Sequence, residues 1–66
     1  MSNKIEKPTV KLVGEDGNAF AIIGRVSAAL QEAGYKKEYI EEYQKESVSG
    51  DYNNLIMTAT KYVNVK

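Results

Sequence analysis

The chain has 66 residues, the length of one small domain. Nine basic residues balance nine acidic ones, and a chain without net charge lacks the broad positive field that drives most nucleic-acid binding. Cysteine and histidine are absent, which excludes disulfides and zinc sites built from thiolate or imidazole ligands. We therefore expect no metal and no cofactor, and a protein partner is favoured over a nucleic acid.

The sequence also limits where the protein is expected. No apolar run approaches the roughly 18 residues that a membrane-spanning helix requires, so no membrane association is expected. The first four residues lack the apolar stretch of a signal peptide, and we expect a cytoplasmic protein. Residues 1–8 are polar and end at Pro8, and we interpret them as a flexible lead-in to one domain over residues 9–66.

A strand, a turn and a helix start follow one another closely. The β-rich run from Thr9 to Val13 predicts a strand. Gly14 to Gly17 predicts a tight turn, in which Gly17 can adopt a positive φ without strain. Asn18 is a favourable N-cap, because its side-chain oxygen can accept hydrogen bonds from the free amides of a first helical turn.

Helical spacing of apolar residues predicts a first helix from Ala19 to about Ala33, ended by Gly34. Because the apolar stripe is broad, we expect this helix to form the centre of the core. Three side chains of the stripe are expected to be nearly fully buried: Phe20, Ile23 and Leu30. Arg25 and Glu32 are expected to be exposed.

A second helix is predicted from about Lys37 to Ser47, with no standard N-cap before it. Tyrosines recur every four residues along it, at Tyr35, Tyr39 and Tyr43. Such a row either forms a contact surface or covers the edge of the core with its hydroxyls in water, and the second interpretation is the more common. If the row binds a partner, the residues that we expect to do so are Tyr35, Tyr39, Glu38 and Glu42.

The last third of the chain is ambiguous. Asp51 can cap a third helix, and the spacing of apolar residues after it is helical, yet the composition favours a strand. We predict a helix from about Tyr52 to Lys61, followed by a strand from Tyr62 to Val65. The second strand is expected because the first strand, if alone, would leave its backbone groups unpaired. The predicted fold is α+β in the order β-α-α-α-β with paired terminal strands. The alternative is a β-hairpin over residues 55–65.

The turn between the first strand and the first helix resembles two kinds of ligand site. A glycine-rich phosphate cradle is one, but the spacing of a Walker or dinucleotide motif is missing. A calcium loop is the other, but the twelve-residue pattern is missing. Turn and cap chemistry explains the segment more simply. The residues of this possible ligand corner are Gly14, Glu15, Asp16, Gly17 and Asn18.

No combination of residues indicates an enzyme. The chain has no histidine, no cysteine and no identifiable serine–base pair. The glutamates of the second helix are more simply a solvated face than an acid–base pair, which would need separated pKa values in a dry cleft. We therefore expect no catalytic residue.

Three motifs together are typical of one protein family: Val-Lys-Leu-x-Gly-x-Asp-Gly-Asn-Ala-Phe at 10–20, Ala33-Gly34, and Ser49-Gly50-Asp51-Tyr52 with Leu55. On these motifs the chain resembles a family of small uncharacterised proteins of gut and other Gram-positive bacteria, often associated with plasmids, conjugative elements and prophages. The resemblance covers residues 10–65. It implies a mobile-element setting and no mechanism. The chain departs from the family pattern at Lys36-Lys37 and at Asn53, where members often carry acidic residues.

We therefore expect a small cytoplasmic protein-binding module, and the resemblance implies that a mobile element encodes it. The alternative is a binder of a small ligand or a nucleic acid that uses the corner from Gly14 to Asn18. The neutral charge and the tyrosine row favour the first function.

Overall fold

The computed structural model describes residues 7–12, 14–15 and 17–66. The predicted α+β fold is confirmed, because the terminal strands pair and three helices lie between them in sequence. Each helix contacts the other two, while α1 packs against β1 and α3 against β2. The elements are β1 (Thr9–Val10), α1 (Ala19–Glu32), α2 (Lys37–Ser47), α3 (Tyr52–Tyr62) and β2 (Asn64–Val65).

The two strands are parallel, with Thr9 opposite Asn64 and Val10 opposite Val65. Parallel pairing needs a long crossover connection, which the three helices supply. Both strands are shorter than predicted. The first ends at Val10, and Val13, the predicted strand end, lies outside the described residues; the second begins only at Asn64 because α3 extends to Tyr62.

The end of the predicted lead-in takes part in the sheet. The Asn64 amide donates to the Pro8 carbonyl at 2.9 Å, and the Asn64 side chain donates to the Lys7 carbonyl at 3.4 Å. These two residues are therefore held against β2, whereas the rest of the lead-in, residues 1–6, lies outside the described residues.

The ambiguous segment is a helix, so the hairpin alternative is wrong. Asp51 caps α3, as predicted, by accepting a hydrogen bond from the Asn54 amide at 2.9 Å. The buried Thr58 hydroxyl donates to the Asn54 carbonyl one turn earlier at 2.7 Å. This bond satisfies a polar group that would otherwise be buried without a partner, so a β-prone residue is accommodated in the helix.

The core lies between the three helices, but α1 faces it with a different stripe from the one predicted. Ile22, Val26 and Leu30 are its buried residues, which confirms the prediction for Leu30. Ile23 is only half-buried. Phe20 is 81% exposed, so the prediction that it belongs to the core is wrong.

The reason is helical phase. Phe20 lies two residues before Ile22, and this places it about 200° around the helix, on the opposite side. The exposure predicted for Arg25 and Glu32 is confirmed. The fully buried side chains outside α1 include Tyr43, Ser47, Thr58, Ala59 and Val63.

Candidate functional site

The tyrosine surface, which we define as Tyr35 and Tyr39, is positioned by the end of α1. Gly34 has a φ of +98°, a backbone conformation that glycine adopts without strain. The Gly34 amide donates to the Gln31 carbonyl and the Tyr35 amide donates to the Leu30 carbonyl, both at 3.1 Å. This pair of bonds is a Schellman motif, and it confirms Gly34 as the helix stop. Tyr35 is thereby fixed two residues before α2 begins.

The two rings of this surface are stacked. Their centroids are 4.6 Å apart and their planes differ by 13°. Both side chains are half-buried. The ring of Tyr62 on α3 meets Tyr39 edge-on at 5.2 Å, so the stacked pair rests against a buried aromatic residue. The surface is therefore an ordered aromatic platform, held by packing rather than left free.

The third tyrosine of the row does not belong to this surface. Tyr43 is fully buried and meets the edge of the Tyr62 ring at 5.2 Å. Tyr43 lies in the core with its hydroxyl buried, so neither interpretation describes this residue. Tyr35 and Tyr39 lie half-buried at the edge of the core, and their contact with a partner stays a prediction. Helical spacing alone could not separate Tyr43 from these two, because the separation depends on Tyr62 from another helix.

Two grooves, each of about 430 Å³, share Tyr35 in their lining. One is lined by both rings of the surface together with charged side chains. The lining of the other includes Tyr35 and Ile40. The lining of the first groove includes Gly34, Lys36, Glu38 and Glu42, so the predicted partner residues Glu38 and Glu42 lie beside the two rings.

A polar network behind the platform joins α2 to α3. The Lys61 ammonium and the Tyr62 hydroxyl both donate to the Glu46 carboxylate, the latter at 3.0 Å. These contacts lower the pKa of Glu46, with the Lys61 hydrogen bond as the largest cause. Burial, followed by the bond to Glu46, raises the pKa of Tyr62 to about 12. Burial is also the main reason that the pKa of Tyr39 is raised.

The corner between β1 and α1 is held by its own polar groups. Asn18 is the N-cap of α1, as predicted, and its side chain accepts from the Phe20 amide at 2.8 Å. The Glu15 carboxylate binds Arg25 at 2.9 Å. The Tyr52 hydroxyl, from the first residue of α3, donates to the Gly17 carbonyl at 2.7 Å. The Asn18 side chain, the Glu15 carboxylate and the Gly17 carbonyl, which a ligand would need, are therefore already bonded within the protein.

The prediction of a positive φ at Gly17 is wrong. Gly14 has the positive φ instead, at +82°, so the left-handed residue lies at the beginning of the turn. Gly17 is exposed, and a Cβ at this position would lie 3.4 Å from the Tyr52 hydroxyl. Asp16, which was included in the possible ligand corner, lies outside the described residues.

Sequence reasoning missed the contributions of α3 to both regions. Tyr62 was expected in a strand, yet it closes α3 and supports the tyrosine surface. The signal was present, because Leu55, Ala59 and Tyr62 have the spacing of one helical face and all three are buried. No comparable signal pointed to the bond between Tyr52 and Gly17, which lie 35 residues apart.

Comparison with protein-family models, with curated proteins and with solved structures yields no match to this chain. Within the described ranges, no three acidic side chains are grouped closely enough to hold a metal ion. Over the same ranges, no helix has the length and apolar character needed to cross a bilayer. The candidate site therefore rests on the geometry of the tyrosine surface alone.

Proposed function

We propose that this protein is a small cytoplasmic protein-binding module, and that it binds its partner through the tyrosine surface. The observation that carries the proposal is the stacked pair of Tyr35 and Tyr39, which is half-buried and flanked by two grooves. Tyrosine is enriched at binding hot spots because it offers a large, rigid contact area and a hydroxyl at its end.

The packing of the rings supports this proposal. Because Tyr39 stacks on Tyr35 and also meets Tyr62, its ring is ordered before a partner arrives. An ordered side chain loses little conformational entropy on binding, so more of the contact energy is retained as affinity. The surface therefore has the pre-organisation that a contact site benefits from.

The charges around the rings indicate what kind of partner fits. Glu38 and Glu42 are exposed and line the groove beside the rings, with Lys36 on the same groove. An aromatic centre with a charged rim is the usual arrangement of a contact site. The partner that fits best is a protein that places an apolar side chain on the rings and a basic side chain near the glutamates.

The mobile-element setting belongs to the same proposal. The motifs that carry the family resemblance include Ala33-Gly34, the residues that end α1 just before the tyrosine surface. The partner would then be a factor of the host or of the mobile element. No observation favours the ligand corner as a second function, because its described polar groups are engaged within the fold.

The proposal is tested by affinity capture from a lysate of a Gram-positive host, with mass-spectrometric identification of the retained proteins. Three baits are compared with the unaltered protein. Tyr35→Ser with Tyr39→Ser removes the rings, and Glu38→Lys with Glu42→Lys reverses the rim charge. Val48→Ser is the control, because Val48 is also an exposed apolar residue, at 63%, but lies outside both grooves.

We expect both double variants to lose the same partner and the control to retain it. Retention by both folded double variants would contradict the proposal. The charge-reversal variant matters because its side chains are exposed, so its result does not depend on whether loss of the rings disturbs the fold. A nucleic acid that binds with strong salt dependence, in place of a protein, would also contradict it.

A further inference from the structure

The outer edge of β1 carries main-chain groups that the fold does not use. In the parallel ladder, the Asn64 amide donates to the Pro8 carbonyl, the Lys66 amide to the Val10 carbonyl, and the Leu12 amide to the Lys66 carbonyl. Alternate residues of a strand direct their hydrogen-bonding groups to opposite sides. The amides and carbonyls of Thr9 and Lys11 therefore face away from β2, and no described residue forms a main-chain bond with them.

One face of this small sheet is open and basic. Val10 is buried and Leu12 packs against the core, so the residues that alternate with them face solvent. Thr9 and Lys11 are exposed, and Asn64, on the same face as its partner Thr9, is exposed too. Every charged side chain within residues 7–12 and 63–66 is a lysine, and all three are exposed: Lys7, Lys11 and Lys66.

The lysine at the edge is only weakly engaged inside the molecule. The Lys11 ammonium lies 4.0 Å from one oxygen of Glu15, and its side chain is 69% exposed. The other oxygen of Glu15 is bound by Arg25 at 2.9 Å. Lys11 is therefore available to a second carboxylate that approaches along the strand.

A second copy of the chain fits this edge poorly. If two β1 edges paired antiparallel about Thr9, Lys7 of each copy would lie opposite Lys11 of the other. Like charges in directly opposed positions destabilise a strand pair, and lysine on an edge is a common device against self-association. The same arrangement attracts a strand whose side chains on this face are acidic.

We propose that the β1 edge binds an extended acidic segment of another protein, which adds to the sheet as a third strand beside Thr9 and Lys11. The main-chain groups of these two residues would bond the segment's backbone, and the lysines of the open face would contact its carboxylates. Strand addition is a known mode of peptide recognition. A two-stranded sheet is also smaller than most sheets in proteins, and an added strand would bring it closer to the usual size.

The test uses the whole protein labelled with ¹⁵N and a blocked peptide, Glu-Val-Glu-Val-Glu. This peptide places carboxylates on the lysine side and valines on the side of Val10. The matched control peptide is Lys-Val-Lys-Val-Lys. We expect the acidic peptide alone to shift the amide resonances of Thr9 and Lys11 and to slow their hydrogen exchange, without affecting Tyr35 and Tyr39.

Three variants separate the parts of the proposal. Lys11→Glu should weaken binding about fivefold by replacing an attraction with a repulsion. Thr9→Pro should also weaken it, because it removes an outward amide that the ladder does not use. Lys45→Glu, a charge reversal on the exposed side of α2, should leave binding unchanged.

Several results would overturn the proposal. Equal binding of the basic peptide would show that charge does not select the segment. Binding without protection of Thr9 and Lys11 would show that no strand is added. Dimerisation of the protein alone, with protection of the same two amides, would show that the edge serves self-association. The peptide experiments on the unaltered protein decide these points even if a variant fails to fold.

Discussion

The starts of α1 and α2 show two different uses of a helix N-terminus. At α1, the Asn18 side chain caps the helix, and neighbouring polar groups bind Arg25 and Tyr52. At α2, the Lys36 side chain forms no cap bond, as predicted from the sequence. The stacked rings of the tyrosine surface lie beside this helix start. Polar groups engaged in the fold are costly to redirect to a ligand, whereas a half-buried ring can bury more of its surface. This contrast is why we propose the second start, and not the first, as the partner site.

The largest expected effect contrasts the two ends of α1. Leu30→Ala should cost about 2–5 kcal/mol of unfolding free energy, because Leu30 is fully buried and its loss leaves a cavity. Phe20→Ala should change stability by less than about 0.5 kcal/mol, because Phe20 is exposed beside the corner. Urea unfolding of the two variants measures both. A large loss from Phe20→Ala would mean that the corner packs against something in solution.

The next largest effect tests how Tyr35 is placed. Gly34→Ala should cost about 1–2 kcal/mol, because alanine is strained at a φ of +98°. Gly24→Ala is the matched control. Gly24 lies within α1 with open space where a Cβ would be, so alanine there should stabilise the helix by about 1 kcal/mol. A Gly34→Ala variant that unfolds at the same temperature as the unaltered protein, or at a higher one, would contradict the Schellman assignment.

A smaller effect distinguishes the two helix caps directly. Asn18→Ala removes the bond to the Phe20 amide and should cost about 1 kcal/mol. Lys36→Ala, at the equivalent position of α2, removes no cap bond and should leave stability nearly unchanged. Equal losses in urea unfolding would show that the two helix starts do not differ as the structure indicates.

Local chemistry explains why much of this fold could be predicted. Asn18, Gly34 and Asp51 mark helix boundaries through bonds to nearby backbone, so their roles could be inferred from a few neighbouring residues. The bounds predicted for α2, Lys37–Ser47, are those observed. Gly14 and Gly17 were harder to distinguish, since either glycine of one turn can adopt the positive φ.

The remaining differences depend on tertiary contacts. A broad apolar stripe does not define which side of α1 faces the core, so Phe20 was placed inside. The row of tyrosines likewise could not reveal that Tyr62 would lie against Tyr39 and Tyr43. The residues of the candidate surface could therefore be predicted from the sequence. The stacking of Tyr35 on Tyr39, and the burial of Tyr43 in the core, could not.

The polar network behind the tyrosine surface should be visible in the pH dependence of stability. Because the pKa of Tyr62 is raised to about 12, its contribution is present below the ordinary tyrosine pKa of about 10 and is lost as pH rises through 12. Glu46 contributes in the opposite sense, because its pKa is lowered: its contribution is lost as pH falls below the usual glutamate range.

Glu46→Gln tests this network, since it replaces a carboxylate that helps to raise the pKa of Tyr62. We expect the highest-titrating tyrosine to ionise at lower pH in the variant, measured by tyrosinate absorbance. Glu38→Gln is the control, because Glu38 is exposed beside the rings and has no part in the network. An unchanged tyrosine titration in Glu46→Gln would contradict the assigned bond.

The smallest expected effect concerns the point at which the tyrosine row enters the core. The Tyr43 hydroxyl is buried and meets hydrogen-bond geometry with no described residue. Burial raises the pKa of Tyr43, and the nearby Ser47 hydroxyl offsets part of that increase. Burying a hydroxyl without a good partner is unfavourable, so Tyr43→Phe should leave stability unchanged or raise it by about 1 kcal/mol. Tyr62→Phe is the contrast, because it removes the bond to Glu46 and should be destabilising. If Tyr43→Phe loses as much stability as Tyr62→Phe, the Tyr43 hydroxyl forms a hydrogen bond in solution. Tyr43 would then differ less from the two surface tyrosines than the structure indicates.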